Sequence, residues 1–242
     1  MNKKIILICG MHRSGTSFAS SLIHNALEYH SDDLVGADKG NELGHFEDEE
    51  VVYFHSNILK RNNMANMKCR HPVNWHWTDY RSLERLIKDK FDRFGGDYLV
   101  LKDPRASLFL EIWTKLPYEV KVIFLYRDPL SVVSSLVRRG TDRRVKFNPV
   151  LGVNTWVEYN KAFLDSYEKN EKNNYYVLNS DDLILHPEKI SSIIDSEIKG
   201  ARDLDLTLLD AGRYRKKEGE WGEKLFPAAY RVFRELKKIE SP

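Results

Sequence analysis

The chain has 242 residues, 42% of them hydrophobic, which is enough for one substantial core and does not force a second domain. Its 38 basic and 36 acidic residues nearly cancel to a formal +2, which gives no reason to expect a nucleic-acid stripe or a membrane-seeking face, so any anion site must be local. The two cysteines, Cys9 and Cys69, are too few for a disulfide framework and lack the spacing of a metal knuckle.

In chain order, the first predicted element is the apolar run "IILIC", Ile5 to Cys9. A charged start precedes it, but the run stops at Gly10 before His12 and Arg13, too short for the apolar region of a secretory signal. No stretch reaches the roughly 20 apolar residues of a spanning helix, and the expectation is a soluble, cytoplasmic protein. A loop follows, then a helical face of Phe18, Leu22, Ile23, Ala26 and Leu27. Residues Arg61 to Arg81 are polar, with Trp75, Trp77 and Tyr80 interleaved, and read either as a rim over a site or as surface loop with its aromatics tucked inward. "YLVLK" (Tyr98 to Lys102) and "VKVIFLY" (Val120 to Tyr126) are the second and third strands, apolar on both faces as in a buried parallel sheet. Asp128 can cap and Pro129 start a helix through Val132, Val133, Leu136 and Val137. A basic loop, Arg138 to Asn148, precedes an amphipathic helix over Val153 to Asn170 and the fourth strand, "YYVLN", Tyr175 to Asn179. Helices over His186 to Ile198 and Leu225 to Ile239 complete the chain. Strands alternating with helices predict an α/β fold, a central parallel sheet covered on both sides.

The opening loop, "CGMHRSGTS", carries the chemistry expected of an anion site. A strand, a turn with Gly10 and Gly15, then Thr16 and Ser17 at a helix start converge backbone N–H groups on the positive end of the helix. Arg13 adds a fork suited to phosphate or sulfate oxygens. The glycine spacing fits a Walker loop, but Thr16 stands where the lysine belongs, which weakens a magnesium-nucleoside-triphosphate reading.

"CGMHRSGTSFASSLI" resembles the loop with which sulfotransferases dependent on 3′-phosphoadenosine-5′-phosphosulfate (PAPS) hold the 5′-phosphosulfate, and a second segment, "VIFLYRDPLSVVSSLVRR", is similar to the part of that family that holds the 3′-phosphate. The resemblance implies a three-layer, P-loop NTPase-like fold in one domain over residues 1–242, with PAPS as donor, PAP as product and no metal. It implies donor contacts from His12, Arg13, Ser14, Gly15, Thr16 and Ser17 at one end and from Arg127 and Ser135 at the other; Ser134 could substitute for Ser135. "LKDPR" is similar to the family's lysine-bearing segment, which makes Lys102 the candidate for offsetting charge on the departing phosphate, with Arg13 beside it. "NELGHFEDEE" resembles the "N-x-x-G-x-F-E" segment of bacterial members, so Glu47 is the first candidate for the base on the acceptor hydroxyl and His45 the second.

Each assignment has a plainer alternative. Glu47 to Glu50 could be a charged helix start, Lys102 could reach out from a strand end while Asp103 caps the next helix, and Arg127 could pair with a neighbouring carboxylate. Arg213, Arg215, Lys216 and Lys217 resemble a loop closing over the nucleotide, or a solvated charge run. The acceptor implied is a small molecule or glycan bearing a hydroxyl, with no nucleic acid as partner and an oligomeric state the sequence does not set. The competing readings are a small-molecule kinase, using Asp103 or Asp128 for magnesium, and a nucleotide-binding module without turnover.

Overall fold

The computed structural model describes residues 3–27, 34–36, 45–140, 142–198 and 220–241. Its centre is a four-stranded, all-parallel sheet in the order β2-β1-β3-β4, formed by β1 (Lys4–Cys9), β2 (Tyr98–Lys102), β3 (Glu119–Tyr126) and β4 (Tyr175–Asn179). All four predicted strands are present, two of them one residue longer at their start. The register sets Ile8 beside Lys102 on one side and beside Ile123 on the other, which carries the ends of β1 and β2 to the same edge as the opening loop.

Because side chains alternate along a strand, the sheet has two apolar faces, and each one is covered. Ile6, Ile8, Val100, Ile123 and Leu125 pack against Phe18, Leu22, Ile23 and Ala26 of α1 (Thr16–Leu27) and Ile190, Ile193 and Ile194 of α9 (Glu188–Glu197). Ile5, Leu7, Leu99, Leu101, Val122 and Phe124 face the larger layer. That layer comprises α2 (Glu49–Arg61), α3 (Trp77–Phe94), α4 (Leu110–Trp113), α5 (Pro129–Arg139), α6 (Arg143–Phe147), α7 (Pro149–Lys169) and α11 (Pro227–Lys238). Two shorter helices, α8 (Ser180–Leu185) and α10 (Glu220–Leu225), complete the described α-helices.

Three expectations about elements need correction. The stretch 61–81 is not irregular throughout: Trp77, Tyr80 and Arg81 already belong to α3, whose N-terminus is closed by a capping box between His76 and Asp79. The loop 138–148 contains α6, started by Asp142, whose carboxylate accepts from the amides of Arg144 and Val145. The final helix starts at Pro227 rather than Leu225, because Pro227 can begin a helix but has no N–H to continue one, and Leu225 instead ends the separate helix Glu220–Leu225. Asp128 caps α5 as predicted, accepting from Ser131 N at 2.8 Å. Among the described residues no helix is long and apolar enough to cross a membrane.

Candidate active site

The site lies beyond the carboxyl ends of β1 and β2, where open α/β sheets place their ligands. Gly10 leaves β1 with φ +139° and passes so close to β3 that a Cβ there would lie 2.1 Å from the Leu125 carbonyl oxygen. Gly15 has φ +83°, and a Cβ would meet Ser180 Cβ at 2.7 Å. Both glycines are therefore dictated by space as well as by backbone angle. Between them Arg13 also adopts a left-handed φ of +72°, a conformation that costs a non-glycine residue roughly 1–3 kcal/mol and concentrates at functional loops. Ser14 N–H closes the loop on Met11 O at 3.0 Å, and Ala19 N–H to Gly15 O opens α1.

Glu47 reaches the same place by a different route. The backbone around it is held by Val35 N–H donating to Glu47 O at 2.8 Å and by a bridge between Leu34 and Asp48, while Phe46 turns through φ +52°. The acidic run divides its duties. Asp48 caps α2 through Val51 N at 3.0 Å and pairs with the buried Lys90 at 2.7 Å, Glu49 and Glu50 form the first turn, and Glu47 points into the site.

Lys102, at the end of β2, is only 2% exposed, so it does not reach out to solvent. Its ammonium donates to Glu47 Oε1 at 2.9 Å, to His45 O at 2.9 Å and to Ser17 Oγ at 3.2 Å. The other Glu47 oxygen accepts from Arg105 Nη2 at 2.6 Å. Arg105 in turn donates from Nε to Asp103 Oδ1 at 2.7 Å. Asp103 caps the short 3₁₀ turn Pro104–Leu108, accepting from Arg105 N. Its second oxygen lies 2.7 Å from His55 Nδ1, and Trp113 Nε1 donates to His55 Nε2 at 3.1 Å. His45 Nδ1 stands 4.0 Å from Glu47 Oε1, beyond hydrogen-bond reach.

These contacts set the charges. Burial pushes the Glu47 carboxyl up, but the positive Lys102 and Arg105 outweigh it and hold Glu47 below the ordinary carboxylate value. Burial pulls the Lys102 ammonium down, and Glu47 and Asp103 oppose that only in part. His12 is pushed down to about 4, by burial first and by the Arg105 charge second, so its imidazole is neutral at pH 7. Asp103 is held well below the carboxylate range, its burial outweighed by Arg105 and His55.

A cavity of about 230 Å³ opens beside this cluster, walled by His12, Arg13, Thr16, Ser17, His45, Glu47 and Lys102 and also by Asn66, Met67, Arg139 and Asp142. Seven of the wall residues are thus predicted site residues, and both unassigned stretches contribute to the rim. Trp75 and Trp77 are not wall residues: Trp77 is 61% exposed and stacks on Tyr80. Arg127 and Ser135 lie outside the walls. The structure joins Ser135 to Arg13, whose Nε donates to Ser135 Oγ at 2.9 Å, and gives Arg127 Nε a bond to Asp181 Oδ1 at 2.8 Å. Residues 41–44 and the basic segment 213–217 lie outside the described residues.

The fold has counterparts among solved structures. Sulfotransferase STF9 from Mycobacterium avium aligns over 97% of this chain and 77% of its own, with TM-score 0.57 and 13% identity. The sulfotransferase domain of the curacin biosynthetic pathway aligns over 97% and 98%, with TM-score 0.54 and 16% identity. That of the Synechococcus PCC 7002 olefin synthase aligns over 96% and 95%, with TM-score 0.54 and 17% identity. The chain has the sulfotransferase fold. At these identities the likeness is one of architecture, and neither protein-family models nor curated proteins give a match. In this chain the sulfotransferase frame brings the loop hydroxyl of Ser17, the Lys102 ammonium and the Glu47 carboxylate into one connected cluster at the cavity wall.

Sequence reasoning missed Arg105, His55 and Trp113. Arg105 had a signal, since "KDPR" sets two cations around one acid and only one of them was assigned. His55 and Trp113 had none: each sits in an ordinary helical run, and only the fold brings them to Asp103.

Proposed function

We propose that this chain, as one domain over residues 1–242, transfers a sulfuryl group from PAPS to the hydroxyl of a small-molecule or glycan acceptor. The observation that carries the reading is Lys102, whose ammonium lies between the Ser17 hydroxyl of the phosphate loop and the Glu47 carboxylate. A cation there can offset charge on a departing phosphate while the carboxylate receives the acceptor proton. The loop residues His12 to Ser17 would hold the phosphosulfate end, Arg13 presenting its guanidinium, and Arg127 with Ser135 the 3′-phosphate. The hydroxyl oxygen bonds to sulfur as the bond from sulfur to the bridging oxygen breaks in line, the hydroxyl proton passes to Glu47, and PAP leaves. His45, also on the cavity wall, is the second candidate for that proton. A carbohydrate hydroxyl and a cytoplasmic setting belong to the same reading. The kinase alternative is disfavoured by where its carboxylates are engaged: Asp103 is taken by Arg105 and His55, and Asp128 caps α5 and accepts from Tyr230 OH at 2.8 Å.

The test is calorimetric titration of the purified chain with PAP and, separately, with ATP plus magnesium, followed by transfer assays from PAPS to a panel of hydroxyl acceptors. Preference for ATP would overturn the reading. PAP binding with no transfer to any acceptor would favour the inactive module.

A further inference from the structure

Five side chains behind the cavity form one buried line, and their exposure rises toward it: Trp113, His55 and Asp103 at 0%, Arg105 at 4% and Glu47 at 7%. Each link is a hydrogen bond of 2.6–3.1 Å. The far end is fully buried and packed. His55 lies flat against Phe109, ring centroids 4.6 Å apart and 7° from parallel, and the bond from Trp113 Nε1 makes His55 Nε2 the acceptor. The proton of the neutral ring is thereby placed on Nδ1, which donates to Asp103. Arg105 uses two arms of one planar guanidinium on two different carboxylates, Nε on Asp103 and Nη2 on Glu47. With one carboxylate anchored, the fork fixes the plane and position of the other.

We infer that Arg105, anchored through Asp103 and His55 to Trp113, is a positioning residue that orients Glu47 for proton transfer from the acceptor. The inference rests on the reading of Glu47 as the acceptor's base. The line gives that base what a catalytic carboxylate on a short, irregular segment lacks, namely a support locked to the core. The groups that face Glu47 are Lys102, Arg105, Asp103, His12 and, at 4.0 Å, His45, so removing one cation among them changes the field on the carboxyl without emptying it.

Arg105→Gln, Arg105→Lys and Trp113→Phe would be compared with the wild type in two measurements. In the first, the Glu47 carboxyl is followed by ¹³C NMR in chain labelled at glutamate side-chain carboxyls, with its signal assigned by its absence in Glu47→Gln. Arg105→Gln is expected to raise the Glu47 midpoint by about 1–2 pH units, as loss of one adjacent opposite charge should. Arg105→Lys should restore most of that shift. In the second, turnover with PAPS is set against PAP affinity. Arg105→Gln and Arg105→Lys should both lose about 100-fold or more in kcat with PAP affinity within about threefold of wild type, because lysine replaces the charge but not the fork. Trp113→Phe should lose about tenfold, and it carries the test if the Arg105 variants do not fold. An unmoved Glu47 midpoint in Arg105→Gln, or full kcat in Arg105→Lys, would overturn the inference. A wild-type chain that binds no PAP would instead sink the donor reading, and the NMR arm would still decide whether Arg105 holds Glu47.

Discussion

The Glu47 and Lys102 pair offers the most direct physical test of the site, because it can be probed without knowing the acceptor. Removing one partner of a buried ion pair costs about 3–5 kcal/mol, since it leaves an uncompensated charge out of water. The two ends of this pair are not equivalent. In Lys102→Met, Glu47 keeps its 2.6 Å bond from Arg105, so a loss of about 2–3 kcal/mol is expected. In Glu47→Gln, Arg105 keeps Asp103, but Lys102 loses its only bonded carboxylate among the described residues and retains neutral acceptors alone, and about 4 kcal/mol should be lost. In the double variant the stranded ammonium is gone, so it should be less destabilised than the sum of the singles by about 2 kcal/mol. Urea unfolding at pH 7 measures all four corners of this cycle, and Glu47→Gln alone should lower the melting temperature by roughly 10 °C. If Glu47→Gln costs less than about 1 kcal/mol, or the two substitutions add, the cluster is not the buried, mutually neutralising unit described here.

Arg127→Ala should weaken PAP binding by about 1.5–3 kcal/mol, the worth of a charged hydrogen bond, read by calorimetry; unchanged affinity would remove Arg127 from the 3′-phosphate role. Glu47→Ala should collapse turnover with PAP affinity nearly unchanged, whereas persisting turnover that His45→Ala abolishes would move the base to His45. Gly10→Ala, with its Cβ forced to 2.1 Å from a backbone oxygen at φ +139°, should cost about 3 kcal/mol or more, and a melting temperature equal to wild type would contradict the close approach of the loop to β3. For acid stability the sign follows from His12, whose midpoint falls from 6.5 to about 4 on folding. The unfolded chain then binds a proton that the folded chain refuses, so this stabilisation is complete above pH 6.5 and is lost as pH falls toward 4, with His55 acting in the same direction. His12→Asn should flatten the melting temperature between those limits, and an unchanged slope would exclude His12 as its source.

The sheet was legible because each strand is a run apolar on both faces, a pattern that only a doubly covered parallel sheet requires, and "IILIC", "YLVLK", "VKVIFLY" and "YYVLN" all carry it. The tight turn of the opening loop was legible from its glycines, and Gly10 and Gly15 do stand where a Cβ would clash. What could not be read were contacts between segments far apart in sequence. Ser135, expected to share an anion with Arg127 because eight residues of helix bring it back toward the same sheet end, also accepts a bond from Arg13, 122 residues away. Arg61 to Arg81 looked irregular because its aromatics interrupt a polar run, although Trp77 and Tyr80 are three apart and stack on one helix face. Arg105 to Glu47 and His55 to Asp103 are separated by 58 and 48 residues, and no local pattern announces either pair.

The loop's missing lysine takes a different meaning in three dimensions. Thr16 occupies the place where a Walker loop carries that cation, yet an ammonium does reach the loop: Lys102 comes in from β2, 3.2 Å from Ser17 Oγ. A lysine on the loop serves the phosphate alone, whereas one rooted in the neighbouring strand can also touch Glu47, and Lys102 does. Its three N–H donors are matched by three acceptors, so an anion arriving at the loop must displace one of them. The longest of the three is the bond to Ser17, and the bond to Glu47 is 0.3 Å shorter (3.2 Å against 2.9 Å). Exchange at Ser17 would hand the loop hydroxyl and the ammonium to the anion together while the carboxylate kept its partner. A cation rooted in the strand thus bonds the loop hydroxyl and the carboxylate at once, a linkage that a lysine at position 16 would not provide.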